Sequence, residues 1–351
     1  MKNIQKIENV VKISNSYKLA LNNNNLTASL AGLEPTLWRD GKYDIFSLIA
    51  ELKTNNTFVD ITTNGSALLP FSDKFIGSGL SKCRVSVHSF DQKTYSRITG
   101  KNNLNNVLEG ITRCSQNNLT MVINRVLLKG FTDDIPKGLE FIQKTNINLK
   151  LYDLWWVKRI DENYSKYYIH WQDIVSKYIT ENTSHTEVKY VNFHRNRIIF
   201  HLKNGGSVDV KQFNAEQHQR INKCKNCVFN NKCKETFASY IHVFPNGHLT
   251  FCNLREDIHL DLKPMLDKNI SETELSNYLK SRFNEVIGSD WQKRLKETDL
   301  RFYINEACNY KCSFPNSEGY GSLWCLSSIR TNESWNTINN FEEEKTANNI
   351  I

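Results

Sequence analysis

Cysteine carries the clearest chemistry in this sequence, through its number and spacing. Cys308 and Cys312 are separated by three residues, directly after the alternating apolar run that contains Phe302 and Ile304. Two thiolates on one tight loop at a strand end suit a metal ion or iron–sulfur cluster first. A disulfide-exchange pair is the second reading, although such pairs usually have a two-residue spacer at a helix start. Two buried thiols at a strand end is the plain structural reading. A second group comprises Cys224 and Cys227 in a CxxC knuckle, Cys233 shortly after, and Cys252 at the end of a hairpin. Together these predict a four-thiolate site for zinc or an auxiliary iron–sulfur cluster, against a reading as unrelated core or surface thiols. Cys325 is a further candidate ligand beside Cys308 and Cys312.

The elements that must position these groups alternate along the first half of the chain. Apolar positions Ile4, Ile7, Val10, Val11 and Ile13 predict a helix over 4–20, ended by the run Asn22–Asn25. Strands are expected at 26–32, 58–65, 83–89, 121–128 and 148–156, with helices at 45–53, 71–76, 104–116 and 138–143. Short connections between alternating strands and helices predict an α/β fold, a parallel sheet or partial barrel with its helices outside. The ligand mouth of such a fold lies at the strand ends, where Glu34, Asn64, Ser86 and Asn124 stand. Further on, a hairpin-like pair is expected around Gly205 and Gly206, a second hairpin turns at Pro245–Gly247, and residues 272–292 read as a helix. The tail beyond Cys325 is polar and Asn-rich, with a helix at 341–348 or disorder as the alternatives.

The 351 residues are enough for one large core or two domains, and a net charge of +8 permits a phosphate-bearing partner without demanding one. Nucleic acid is not indicated. No stretch approaches a membrane span or a signal peptide, so a cytoplasmic protein is expected. Nine cysteines, unevenly spaced in a chain this long, argue for a reducing compartment and for metal rather than disulfide use.

The stretch CNYKC followed by Phe314 and SEG resembles the opening strand and cluster loop of radical S-adenosylmethionine (SAM) enzymes, in particular their molybdenum-cofactor GTP cyclase branch. Pro315 stands where that family has its third loop cysteine. The turns AGLEP, ITTNG and RVSVHSFDQKTYSRITG, then INRVLLKGFTDD and LKLYDL, are similar to the family's later strand ends and occur in family order. The resemblance implies a partial (β/α)6 TIM-type barrel, a 4Fe–4S cluster with SAM as cofactor, and a SAM site at Gly32, Leu33, Glu34, Asn64, Ser86 and Asn124. Phe314 would shield the cluster. Cys308, Cys312 and Cys325 would be the available cluster ligands. FPNGHLTFCNL resembles the end of the cyclase's auxiliary cluster region. Ser29 and Val122 replace basic residues of the cyclase's GTP site and only Arg301 matches, which argues against GTP cyclisation.

In the family the cluster strand comes first, whereas here it comes last. The resemblance therefore implies a circular permutation in which 300–307 lies parallel to 26–31, with a damaged tandem copy as the rival. The expected division is a barrel core of 1–156 plus 296–351, an auxiliary cysteine module of 157–265 and a linking helix over 266–295. Two functions remain open. One is an enzyme modifying a small molecule or peptide through a 5′-deoxyadenosyl radical, formed when a reduced 4Fe–4S cluster cleaves SAM, with a reductant protein as the partner that supplies the electron. The other is a catalytically inactive scaffold that keeps a structural metal site and binds a partner or peptide.

Overall fold

A computed structural model describes residues 6–32, 34–154, 161–190, 196–212, 224, 226–227, 237–238, 240–252, 258–296 and 298–304. Its first half alternates as the sequence predicts. Helix α1 (Ile7–Leu21) stops at Asn22, whose left-handed φ of 49° closes the last turn. Strand β1 (Leu26–Ala31) follows, then a small hairpin of β2 (Arg39–Asp40) and β3 (Tyr43–Asp44). Asp44 caps α2 (Ile45–Thr54) in a capping box with Ser47. The series continues through β4 (Thr57–Thr63), α3 (Ser72–Gly77), β5 (Lys82–Ser86), α4 (Gln92–Thr99) and α5 (Leu104–Gln116). It ends with β6 (Met121–Val126), α6 (Ile135–Thr145) and β7 (Asn148–Tyr152).

The rest of the described chain extends both edges of this sheet. A meander of β8 (Thr183–Tyr190), β9 (Asn196–Leu202) and β10 (Ser207–Gln212) joins at β7, three strands where a hairpin pair was expected. The anticipated turn is there, with Gly205 and Gly206 at φ of 95° and 72°. On the other side β11 (Ile241–Val243), β12 (His248–Thr250) and β13 (His259–Asp261) join through β14 (Leu300–Tyr303). The result is one twelve-stranded sheet in the order β13-β12-β11-β14-β1-β4-β5-β6-β7-β10-β9-β8.

The last described strand lies where the sequence placed it. Strand β14 runs parallel to β1, with Ser29 opposite Arg301 and Leu30 opposite Phe302. Residues 305–307 of the expected strand lie outside the described residues. The helix expected over 272–292 is broken by Gly288 (φ 111°) into Glu272–Ile287 and Trp291–Leu295. Its inner side meets α1, where Tyr17 and Phe283 pack edge to face at 6.0 Å.

Strand alternation sorts the residues into two faces. Ala28, Leu30, Val59, Ile61, Cys83, Val85, Ile123, Leu149, Leu151, Val208, Leu300 and Phe302 belong to the main buried apolar cluster, the one shared with the helices. The alternate residues point the other way, and there the sheet is strongly polar: Ser29, Asp60, Lys82, Arg84, Ser86, Asn124, Lys150, Asp209 and Arg301. This polar face is concave. The charge of Arg301 on β14 acts on the Tyr152 phenol on β7, five strands away in the sheet order. In a flat sheet that separation would be about 24 Å. The sheet therefore curls around its polar face, as a partial barrel does.

Candidate functional site

The C-terminal ends of β1 and β4 are tied together by one carboxylate. Glu34 is buried, and its Oε1 accepts from the Thr36 amide (3.2 Å), the Thr36 hydroxyl (2.7 Å) and the Thr63 hydroxyl (2.6 Å). Its Oε2 accepts from the Asn64 amide at 2.7 Å. Glu34 thus fixes both turns at the mouth, and it brings Asn64 close to Gly32. Gly32 has φ 93°, and a Cβ there would come within 3.2 Å of Tyr303 on β14. The first turn is therefore shaped by the last strand. Leu33 lies outside the described residues.

A second clasp fixes the ends of β5 and β6. Arg125, fully buried, donates from one terminal nitrogen to Asp134 (2.5 Å) and to the Phe131 carbonyl (2.8 Å). Asp134 also accepts from the Ser89 hydroxyl (2.6 Å) and the Phe90 amide. Burial works against the Asp134 charge, but Arg125 and these donors more than offset it and hold its pKa below the usual carboxylate value.

Between these clasps lies the polar row. Ser86 is in register with Asn124, Asn124 with Lys150, and Lys150 with Asp209, so four adjacent strands present one rung. Asn124 is 4% exposed, and neither its amide nitrogen nor its amide oxygen has a hydrogen-bond partner among the described residues. Lys150 is 8% exposed and has no ion pair or hydrogen bond among the described residues. Among the described residues its ammonium meets the Tyr152 ring, 5.5 Å to the centroid. Asp209 pairs with Arg197 at 2.9 Å, and Arg84 pairs with Asp60. Burial works against the charge on Arg84, but Asp60 keeps its pKa above the ordinary value. Burial, then Arg84, lowers the pKa of Lys82, which has no ion pair among the described residues. Arg301 lies over the Tyr240 ring at 3.9 Å.

His88 completes the mouth, and the sequence reading missed it. It follows Ser86 by two residues on the same face, and it is 3% exposed. The Val126 amide donates to its Nδ1 at 3.3 Å, while Nε2 has no hydrogen-bond partner among the described residues. Burial, then the charge of Arg125, pushes its pKa down to about 4, so the ring is neutral at pH 7. A neutral ring that accepts at Nδ1 carries its proton on Nε2. A single histidine in a strand pattern gives no signal of this. Only the register with β6 reveals it.

The expected metal centre is not formed among the described residues. Among the described residues no group of three or more His, Cys, Asp or Glu side chains is placed to hold a metal ion. Cys224 and Cys227 share a tight turn, with the Cys227 amide donating to the Cys224 carbonyl at 3.2 Å. Cys252, at the end of β12, does not join them in such a group. Spacing in the chain put Cys224 and Cys227 in one turn, but the approach of Cys252 depends on how a distant hairpin packs. The auxiliary iron–sulfur or zinc assignment is corrected accordingly. Cys233, and the loop with Cys308, Cys312, Phe314 and Cys325, lie outside the described residues.

Residues 6–142 match the radical SAM superfamily model, and this stretch of the chain is a radical SAM superfamily domain. The chain as a whole is a distant homologue of the GTP 3′,8-cyclase branch. It is 25% identical over 279 residues to a probable GTP 3′,8-cyclase of Pyrococcus horikoshii, covering 79% of this chain and 82% of that one. It is 29% identical over 273 residues to the Thermoplasma volcanium counterpart, covering 76% of each. Among solved structures it is similar to Streptococcus suis SuiB bound to S-adenosylmethionine, at TM-score 0.45 and 15% identity. That alignment covers 73% of this chain and spans 56% of SuiB, too distant a likeness to bear on function.

Proposed function

We propose that this chain is a radical SAM-type partial barrel whose concave face binds an anionic small molecule or peptide. The ammonium of Lys150, on a side chain only 8% exposed, carries the reading. A mostly buried lysine with no ion pair is costly, and among the described residues this one stands in register between the unsatisfied amide of Asn124 and Asp209, which is itself paired with Arg197. A bound carboxylate or phosphate would supply the missing charge. Arg84 and Arg197 already have carboxylate partners, whereas Lys150 has no ion pair among the described residues. The Glu34 and Arg125 clasps would hold the mouth open in a fixed shape around it.

Supporting the inference that β14 is the family's first strand, displaced by circular permutation, are its place beside β1 and its contact with Gly32. The same reading divides the chain into a core of 1–156 plus 296–351, a module of 157–265 and a linking helix in 266–295. Cys308, Cys312 and Cys325, outside the described residues, would hold a cluster that supplies the electron for cleaving SAM.

Calorimetric titration with propionate at low salt tests it. Saturable binding with one site per chain is expected, weakened at least tenfold in Lys150→Met. Absence of binding, or unchanged binding in Lys150→Met, would remove the proposal. Formation of 5′-deoxyadenosine on anaerobic incubation with SAM and a reductant would add a reaction to the binding site.

A further inference from the structure

We infer that this chain pairs with a second copy of itself, edge to edge along β8, in an antiparallel register centred on Val188. The inference is independent of the anion-binding reading and concerns a different surface. Among the described strands the sheet ends at β13 on one side and at β8 on the other. Strand β13 has three residues, too short to offer a template, whereas β8 has eight and contains no proline. Every residue from Ser184 to Lys189 is exposed. An edge of this kind presents a row of backbone donors and acceptors that another strand can continue.

The sequence of β8 selects the occupant and the register. In an antiparallel pair alternate residues turn their N–H and C=O outward, so a two-fold axis must pass between the same residue of each copy. Centring on Glu187 would oppose two carboxylates, and centring on Lys189 would oppose two ammonium groups. Centring on Thr186 would carry Lys189 onto Thr183, where a bulge breaks the strand. Centring on Val188 sets Glu187 of each copy against Lys189 of the other, and it sets the 51% exposed Val188 against its own counterpart. The edge is thus complementary to itself in charge.

The packing of β8 on β9 favours the same pairing. Lys189 stands directly opposite Arg197, a like-charge pair, and Arg197 is itself turned to Asp209 at 2.9 Å. A carboxylate on the outer side of Lys189 would offset that repulsion. Alternation puts Glu187 on the same face, and there its Oε2 is 3.2 Å from His201 Nε2. His201 in turn stacks on His185 at 4.3 Å. On the other face Val188 is opposite Ile198, which packs on the core, so a second Val188 would continue that apolar row.

Sedimentation equilibrium of the full chain, at low salt with a thiol reductant, tests the pairing. The parent is expected to form a dimer with a dissociation constant of about 100 µM or tighter, since a single-strand interface is at the small end of the range. Glu187→Lys and Lys189→Glu should each raise that constant by about tenfold or more, because both symmetric pairs become like-charged. The two substitutions together should bring it back to within about threefold of the parent. Both side chains are exposed, so dilute samples of all these chains should melt alike, which separates lost pairing from misfolding. A parent that stays monomeric up to about 1 mM would overturn the inference and leave the edge to a strand of another protein. So would dimers that the single reversals do not weaken, or a double reversal that pairs no more tightly than the singles.

Discussion

At the scale of single residues, the mouth is built by buried charges with structural duties. Glu34 accepts four hydrogen bonds from the turns after β1 and β4. Glu34→Ala would strand the Thr63 and Thr36 hydroxyls and the Asn64 amide, and should lower unfolding free energy by about 2–4 kcal/mol in urea titration. A loss below about 0.5 kcal/mol would show that the clasp is dispensable. His88 gives the protein a specific pH dependence. Its pKa is near 4 in the folded state, against about 6.5 when unfolded. Between those values the unfolded chain binds the extra proton. The contribution is thus fully present above pH 6.5 and is lost as pH falls toward 4, amounting to about 3 kcal/mol. In His88→Phe that part of the pH dependence should vanish. A parent and variant with parallel stability profiles would contradict the neutral, buried assignment.

At the scale of elements, β14 is an interior strand of the sheet, held between β11 and β1. Phe302 is fully buried, so Phe302→Ala should cost about 3–5 kcal/mol, the same range as a central core residue. A cost under about 1 kcal/mol would mean that the strand is only loosely attached. Gly32→Ala should cost about 1–3 kcal/mol, combining its φ of 93° with the approach to Tyr303. Much of this level was legible in the sequence. Alternating runs such as 83–89 and the turns around Glu34 and Asn64 revealed the strands, and a missing first strand pointed to residues 300–307. The polar rung was not legible, because Asn124, Lys150 and Asp209 become neighbours only through parallel register across helical crossovers. The cysteine reading failed for a related reason. A CxxC turn is a local fact, whereas the approach of Cys252 is a tertiary one.

At the scale of the whole molecule, the sheet is a curled layer with an apolar outer face under helices and a cation-rich inner face. Among the described residues no helix is long and apolar enough to cross a membrane. If β14 is the displaced first strand, a rearranged chain in which residues 296–351 precede residue 6 should fold with a melting temperature close to the parent's. Failure to fold would count against permutation. The central claim is that the inner face is completed by an anion at Lys150, and thermal unfolding tests it most directly. Propionate and chloride would be compared at equal ionic strength, for the parent and for Lys150→Met. The account predicts that propionate raises the parent's melting temperature beyond chloride, following the logarithmic dependence of a bound ligand. It also predicts that Lys150→Met melts higher than the parent without propionate and gains nothing from it. Identical responses of both chains to propionate and chloride would contradict the account.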